Sequence, residues 1–399
     1  MTGANAGPAD AAGNGAEAAA AALRTAARTM LGRDVELAGP PQVSVRDGWG
    51  AFRCALAPTD AAAARPPWDG PLIVRLAPPP ATGTGGAGPT GVGPTAAGQA
   101  GSTEVAGPVG PVTPPAGSAG PLANPTPPTA PTPAAALAHE AAWHALGAAH
   151  GLEVPTVVAE VPGDAGPSAL VLATGHERSL LECVNESRPS VPRVAALMGD
   201  LHARLHALPV DGAPPVAQPR PLDALDDLLV ASGIAGGHFS AELDNLRRRQ
   251  PPPAPPVVCH RRFELTSVRL DPTDPGRTAT VVDWSAAGLG EREYDVAHTL
   301  MAFWSLPYLA AGRARRRALR TVRDALIDGY RSAYEHRAPL DESRLRFWEA
   351  FHALSWSARM AAGDGTSTTD PWDPIGAVTF RDSYRKDLTR RFVGLTRGQ

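Results

Sequence analysis

The chain has 399 residues, a formal net charge of −3 and an apolar fraction of 43%, enough for one large domain or two modest ones with a real core. Its three cysteines are too few and too scattered for a disulfide framework or a zinc site. The charge gives no indication of a nucleic-acid partner. No apolar run approaches the roughly 18 residues of a membrane helix, and the N-terminus lacks the pattern of a signal peptide. We therefore expect a soluble cytoplasmic protein with no nucleic-acid or membrane partner.

The first part of the chain predicts one helix followed by short strands. Residues 1–16 are rich in Ala and Gly and are expected to be disordered, whereas 17–31 has the apolar periodicity of a helix. Three strand signals follow, namely "QVSVRD" at 42–47, "AFRCALAP" at 51–58 and "PLIVRLAP" at 71–78. The residues Asp47-Gly48-Trp49-Gly50 between the first two signals are typical of a hairpin turn.

Residues 78–133 differ in composition from the rest of the chain. They consist mostly of Pro, Gly, Ala and Thr, and Glu104 is their only charged residue. Such a segment has too little bulky apolar surface to offset the entropy that is lost on ordering. We therefore predict a disordered insertion.

The remainder predicts further strands and then mainly helices. Helices are indicated at 134–150, 191–208, 222–231 and 240–249, strands near 156–160 and 169–173, and mostly helix beyond Tyr294. This order predicts an α+β fold with a small β-rich N-lobe, formed by 17–77 and 134–175, and a larger helical C-lobe, formed by 176–399.

Several common catalytic motifs are excluded. Lys386 is the only lysine, so a P-loop lysine or other lysine chemistry is ruled out elsewhere in the chain. The G-x-G-x-x-G match at 83–88 is followed by proline and glycine, whereas a dinucleotide site needs a helix there. His139-Glu140 is followed by His144, one place too late for a zinc-protease helix.

Four segments, in this order along the chain, resemble one known family. They are "PLIVRLAP" at 71–78, "HEAAWHAL" at 139–146, "LHARLHALP" at 201–209, and "CHRRFELTSVRLD", "TVVDW" and "EYDVAHTL" within 259–300. Together they resemble the aminoglycoside/macrolide phosphotransferase family, a branch of the protein-kinase-like fold. The family writes its catalytic loop as H-G-D-L-x-x-x-N and its metal loop as I/V-D-W. The resemblance spans about 35–77 and 134–310 and implies the two-lobe kinase-like fold.

The resemblance implies a nucleotide site in the N-lobe. In kinase-type transfer a basic residue on the third strand grips the phosphates of ATP and pairs with a helix glutamate. Carried onto this chain, these residues are Arg75 and Glu140. Gly48 and Gly50 lie where the family's nucleotide-covering turn is expected.

The catalytic loop departs from the family pattern. Counted from His260, the expected glycine is Arg261, the expected catalytic base is Arg262 and the expected metal-binding asparagine is Ser267, while Asp283 keeps the metal-loop aspartate. Arginine cannot act as a base near neutral pH, because its pKa lies above about 12. A cation at this position also repels magnesium. We expect a guanidinium group of Arg261 or Arg262 within salt-bridge distance of Asp283.

Three functions remain open. The first is a pseudoenzyme that binds a nucleotide or a small molecule without efficient phosphate transfer. The second is an active ATP-dependent kinase of a small hydroxylated molecule, with Glu264 as the base and a weakened magnesium site at Asp283 and Ser267. The third is an unrelated α+β interaction protein. The acceptor and the oligomeric state are left open by the sequence.

Overall fold

The computed structural model of the chain describes residues 8–43, 51–57, 59–64, 66–68, 72–77, 132–162, 168–174, 178–186, 189–214, 220–234, 237–270, 279–310, 312–361 and 381–397. The chain divides into two units, 1–78 with 131–399 and 79–130, and all described residues belong to the first unit. The predicted insertion lies outside the described residues except for Thr132 and Pro133, and Gly48 and Gly50 also lie outside them.

The N-lobe is built on one antiparallel sheet. Its strands are β1 (Gln42–Val43), β2 (Ala51–Cys54), β3 (Leu72–Leu76), β4 (Thr156–Val161) and β5 (Ala169–Ala173). They are arranged in the order β1-β2-β3-β5-β4, so β3 lies at the centre. All five residues of β3 are buried, because both faces of the sheet are covered by helices.

Helices α1 (Pro8–Leu31) and α2 (Pro133–Ala149) cover the two faces of the sheet. The expected disorder of residues 1–16 is wrong for 8–16, which form the first turns of α1. Alanine has the highest helix propensity, so this Ala-rich stretch extends the helix toward the N-terminus. Gly15 allows a close approach to β2, since a Cβ there would lie 2.5 Å from Cζ of Phe52.

The C-lobe is mainly helical. Its helices are α3 (Leu180–Glu186), α4 (Val191–His206), α5 (Pro221–Ala231), α6 (Gly237–Arg249), α7 (Arg292–Ser305), α8 (Arg313–Arg337), α9 (Glu342–Ala361) and α10 (Arg381–Arg397). Its strands are β6 (Arg178–Ser179), β7 (Val257–Cys259), β8 (Val268–Leu270), β9 (Ala279–Val281) and β10 (Gly288–Gly290). These strands form two small sheets, β6-β8-β9 and β7-β10. The predicted α+β fold with a β-rich N-lobe and a larger helical C-lobe is confirmed.

Two further features concern the described residues. Among the described helices, none combines the length and the apolar character that crossing a membrane requires. Cys54, Cys183 and Cys259 are all buried free thiols.

Candidate functional site

Strand β3 presents one arginine to helix α2. Side chains alternate along a strand, so Val74 packs toward α1 while Ile73 and Arg75 face α2. Arg75 is buried, and its Nε lies 3.3 Å from Oε2 of Glu140, which is also buried. The ion pair that the resemblance implied between Arg75 and Glu140 is therefore present.

Asp283 receives contacts from both lobes. It follows β9 and has a left-handed backbone with φ 65° and ψ 59°. Its Oδ1 accepts hydrogen bonds from Nη1 of Arg75 at 2.9 Å and from Oγ of Ser285 at 2.8 Å. Its Oδ2 lies 3.6 Å from Nη1 of Arg262. The contact expected from the sequence between Arg262 and Asp283 is present, and Arg75 adds a second contact from the N-lobe.

The two guanidinium groups control the charge of Asp283. Burial alone would raise its pKa, but Arg262 and Arg75 outweigh burial and hold the pKa of this carboxyl well below its usual range. Asp283 is therefore an anion at neutral pH, and each of its oxygens already faces a cation. A magnesium ion at this carboxylate would be repelled by two fixed positive charges.

Ser267 is held by its own loop. Its Oγ donates to the carbonyl oxygen of Glu264 at 2.9 Å and accepts from the Glu264 N–H at 2.7 Å. The hydroxyl that would have to bind a metal ion is thus part of a tight turn and is buried. Magnesium demands a near-octahedral set of oxygen ligands. Since Asp283 and Ser267 are both engaged elsewhere, the residues present do not fit a magnesium ion.

The rest of the loop keeps its shape through backbone contacts to Asp295. The N–H groups of His260 and Arg261 donate to the two carboxylate oxygens of Asp295 at 2.6 and 2.7 Å. His260 is fully buried, its Nε2 lies 3.0 Å from the carbonyl oxygen of Val282, and burial lowers its pKa. Arg261 has φ 65°, a left-handed conformation that glycine, the family's residue there, adopts at no steric cost. His260 thus positions the loop, and Arg262 stands where the family pattern has its catalytic aspartate.

Asp295 is a site residue to which the sequence analysis assigned no role. Its Oδ2 lies 3.2 Å from Nε2 of His202 and 3.3 Å from Nε2 of His206. The Nδ1 atoms of these two histidines contact the hydroxyls of Tyr330 and Tyr334 at 2.6 and 2.5 Å. The three ligand-type atoms lie within 4.8 Å of one another, as in a metal site. However, hydrogen bonds alone satisfy the group, because a carboxylate accepts, each Nε2–H can donate to it, and each Nδ1 can accept from a tyrosine.

We call the segment 260–267, which follows β7, the catalytic-type loop. Glu264, the alternative base, lies in this loop and lines a pocket of about 740 Å³ between the loop and helices α5, α7 and α9. Its Oε1 lies 2.9 Å from Nε2 of His298 on α7. Arg261 and Arg262 line the same pocket. His298 is a second residue that the sequence analysis missed, because no local pattern links it to a loop that precedes it by 34 residues.

The fold of the chain is similar to the folds of several known proteins. The chain is similar over 95% of its length to a putative aminoglycoside phosphotransferase from Ralstonia eutropha JMP134, with a TM-score of 0.53, 14% identity and 98% of that chain covered. A microcompartment-associated aminopropanol kinase gives a TM-score of 0.51 at 15% identity, with 93% of this chain and 98% of that chain covered.

A third similar structure is a thermostable mutant of the aminoglycoside phosphotransferase APH(4)-Ia in a ternary complex with AMP-PNP and hygromycin B. Its TM-score is 0.51 at 12% identity, with 94% of this chain and 99% of that chain covered. No curated protein sequence matches the chain significantly. The model of the phosphotransferase enzyme family matches residues 68–348, which is more than half of the chain and includes β3, α2, the catalytic-type loop and Asp283. The two-lobe kinase-like fold is thereby confirmed, and the chain belongs to the phosphotransferase enzyme family.

Proposed function

We propose that this chain is a pseudoenzyme of its family, which binds a nucleotide or a small molecule without efficient phosphate transfer. The observation that supports this most directly is the position of Asp283 between Arg75 and Arg262. In kinase-type transfer one loop carboxylate accepts the proton of the acceptor and another holds magnesium. Here Arg262 stands in place of the first carboxylate and neutralises the second.

The expected chemical loss is large. Arg262 carries its proton at every physiological pH, so it cannot take another from a hydroxyl group. Removal of a general base alone costs roughly 10²–10⁴-fold in rate. Loss of the magnesium position adds to this, because the metal neutralises charge on the transferring phosphate.

We further propose that a nucleotide binds with its phosphates against Arg75 and Arg262, which would then exchange Asp283 for phosphate oxygens. Guanidinium groups bind phosphate bidentately without a metal ion. The structural neighbour solved with AMP-PNP lends support to a nucleotide as the ligand. Titration of ATP by calorimetry should give similar affinities with magnesium and with EDTA. A gain of about tenfold or more on adding magnesium would contradict the loss of the metal site.

The pseudoenzyme proposal is tested by rebuilding the family's loop. The double variant Arg262→Asp, Ser267→Asn restores the base and the metal-binding amide. We expect magnesium-dependent ATP hydrolysis in the double variant and none in the unaltered protein. The proposal fails if the unaltered protein phosphorylates a small hydroxylated substrate at ordinary rates and Arg262→Asp adds nothing.

One observation favours the second candidate, an active kinase. Glu264 lines the pocket beside Arg262 and is hydrogen-bonded to His298, so it has a partner that could orient it. An active kinase would lose its activity in the variant Glu264→Gln. The engagement of Ser267 in its own turn argues against this candidate, since Ser267 is needed there for metal binding.

A further inference from the structure

A second pocket lies between helices α6, α9 and α10. Its volume of about 360 Å³ falls within the roughly 300–1,000 Å³ that small-molecule sites occupy. It shares no described lining residue with the pocket beside the catalytic-type loop, so it takes no part in the proposed function. We call it the α10 pocket, because half of its described lining residues lie on that helix.

The α10 pocket has unneutralised positive charge. Arg385, Lys386 and Arg390 line it, and no Asp or Glu is among its described lining residues. Arg390 pairs with Asp387, which offsets its charge. Arg385 and Lys386 form no ion pair with any carboxylate in the described part of the chain. A group with about two negative charges would therefore neutralise these two cations.

A buried hydroxyl group in this pocket has no partner. Ser357 is 4% exposed, and among the described residues its Oγ has no hydrogen-bond partner. Other helix hydroxyls donate to the carbonyl oxygen four residues earlier, as Ser305 does to Met301 at 2.8 Å and Thr389 does to Arg385 at 3.1 Å. Ser357 makes no such bond. Since an unpaired buried donor is unfavourable, we expect its hydroxyl to bond to a group that enters the pocket.

These donors suit a phosphate group better than a carboxylate. The ammonium, the guanidinium and the hydroxyl all donate hydrogen bonds, and they come from different residues on two helices. A phosphate monoester offers three strong acceptor oxygens and carries a charge of about −1.5 to −2 near pH 7. A carboxylate has two oxygens and a single charge, so it would leave one of the two cations without an anion.

The α10 pocket also has an apolar part. Phe239 on α6 and Ala361 on α9 line it. His238 lines it as well, with its Nδ1 3.8 Å from Oε1 of Glu242, so this pair adds little net charge. Burial of an apolar group against Phe239 and Ala361 is favourable. The pocket therefore suits a ligand with a phosphate at one end and an apolar group at the other.

We propose that the α10 pocket binds a small phosphate monoester, with the phosphate held by Arg385, Lys386 and Ser357 and the apolar group on Phe239. The site is separate from the catalytic-type loop and goes beyond the proposed function. Free phosphate has the same charged group but lacks the apolar one, so the two ligands are distinguished by their affinities.

The chain provides its own reporter for this test. Lys386 is its only lysine, so reductive methylation with ¹³C-formaldehyde labels this side chain and the N-terminal amine, and the label keeps the positive charge. The full chain is titrated with phenyl phosphate, inorganic phosphate and phenol, and the methyl signals are followed by NMR. We expect phenyl phosphate to shift the Lys386 signal to saturation and leave the N-terminal signal unchanged. Inorganic phosphate should bind more weakly, and phenol should not bind.

Substitutions locate the ligand. Ser357→Ala and Arg385→Gln should each weaken the binding of phenyl phosphate about tenfold, because one charge-assisted hydrogen bond is lost. Arg317→Gln, at an exposed position on α8, is the control for Arg385→Gln and should leave the affinity unchanged. Without ligand, Ser357→Ala should melt at the same temperature as the unaltered protein or slightly higher, since an unpaired hydroxyl is removed.

Ser305→Ala is the control for melting, because the Ser305 hydroxyl contacts the Met301 carbonyl oxygen at 2.8 Å and the Tyr384 hydroxyl at 2.6 Å. It should lower the melting temperature. An equal loss in Ser357→Ala would show that Ser357 has a partner and would overturn the inference. The inference also fails if phenyl phosphate leaves the Lys386 signal unchanged, if inorganic phosphate binds as tightly, or if Arg385→Gln and Arg317→Gln behave alike.

Discussion

At the residue scale, one carboxylate connects the two lobes. Asp283 lies between Arg75 on β3 and Arg262 in the catalytic-type loop, and Arg75 also contacts Glu140 on α2. Buried charges of this kind gain little net stability, because desolvation offsets their attraction, but the loss of one partner leaves the other charge buried and unpaired. The loss of stability on each substitution therefore depends on which oppositely charged groups still contact the charge that remains.

Arg262→Ala should lower the free energy of unfolding by about 1 kcal/mol, since Arg262 is partly exposed and Arg75 still pairs with Asp283. It should also increase the affinity for magnesium, because one repelling charge has been removed.

Arg75→Ala should lower the free energy of unfolding by more, roughly 3 kcal/mol, since buried Glu140 loses its cation. Urea unfolding and magnesium titration measure both effects, with exposed Arg317→Ala as the control. An unchanged magnesium affinity in Arg262→Ala would contradict the occluded site.

Buried histidines make stability depend on pH. Burial is the main cause that lowers the pKa values of His202 and His352 to about 3. In the unfolded chain these groups titrate near 6.5, so below that pH the unfolded state binds protons that the folded state excludes. The free energy of unfolding should therefore be highest above about pH 6.5 and fall by up to about 1.4 kcal/mol per pH unit for each histidine as the pH decreases toward 4. The lowered pKa of Asp283 adds a loss of the same sign below about pH 4.

Urea unfolding at several pH values tests this expectation. His352→Gln should reduce the slope of the free energy of unfolding against pH between about pH 6 and 4, because the variant lacks an imidazole that is protonated in the unfolded state only. His336→Gln, at an exposed position on α8, should leave the slope unchanged. Equal slopes in the two variants would show that His352 does not exclude a proton in the folded state.

The motif pattern predicted some of these residues and missed others for a physical reason. The family resemblance pointed to Arg75, Glu140 and Asp283, because each lies in one of the quoted segments, and the structure brings the three side chains together. Asp295 and His298 lie in the quoted segment "EYDVAHTL" but were assigned no role, since their contacts with the loop arise only from the packing of α7. The engagement of a side chain in its own turn, as in Ser267, is likewise not visible in residue types alone.

At the scale of elements, helices α4 and α8 pack closely against each other. A Cβ at Gly199 would lie 2.8 Å from Cβ of Ala333 and 2.9 Å from the backbone N of Tyr334. Glycine is unfavourable within a helix by about 1 kcal/mol relative to alanine, so its presence in α4 is explained by this approach rather than by helix propensity.

Gly199→Ala should therefore destabilise the protein by about 1–3 kcal/mol, because the backbone of α8 has to move. Gly394→Ala on α10 is the matched control, since no heavy atom lies within 4 Å of the added Cβ. There the gain in helix propensity should slightly stabilise the protein. The melting temperatures of both variants measure these effects, and a higher melting temperature of Gly199→Ala would contradict the close packing of α4 and α8.

Two apolar elements begin and end within one residue of their predicted bounds. The helix expected at 134–150 is Pro133–Ala149, and the strand expected at 169–173 is Ala169–Ala173. The predicted start of α1 was too late, because a segment rich in alanine and glycine was interpreted as disordered. The structure has helix from Pro8, in agreement with the high helix propensity of alanine.

At the scale of the whole molecule, helix α2 connects the lobes. His139 Nε2 lies 3.0 Å from the carbonyl oxygen of Ala287, and Trp143 Nε1 donates to His139 at 3.0 Å. Trp143 is fully buried in the hydrophobic core of the C-lobe, while Leu137 and Ala141 pack on the sheet of the N-lobe. These contacts fix the position of α2 relative to both lobes, and they involve no residue of the segment between β3 and α2.

We propose that the segment between β3 and α2 is dispensable for this arrangement. Residues 78–131 should be replaced by a Gly/Ser linker of about twelve residues, which spans roughly 20 Å. Thr132 and Pro133 are kept, because Thr132 Oγ1 accepts from the N–H of Ala135 and caps α2. Since each halving of a flexible loop changes the closure cost by only about 0.6 kcal/mol, the melting temperature should be unchanged or slightly higher.

A second variant with the same 78–131 residues in scrambled order keeps length and composition, and it should melt like the unaltered protein. A large loss of melting temperature in both variants would show that the native order of this segment packs on the domain, and a loss with the short linker alone would show that twelve residues are too few to join the two ends.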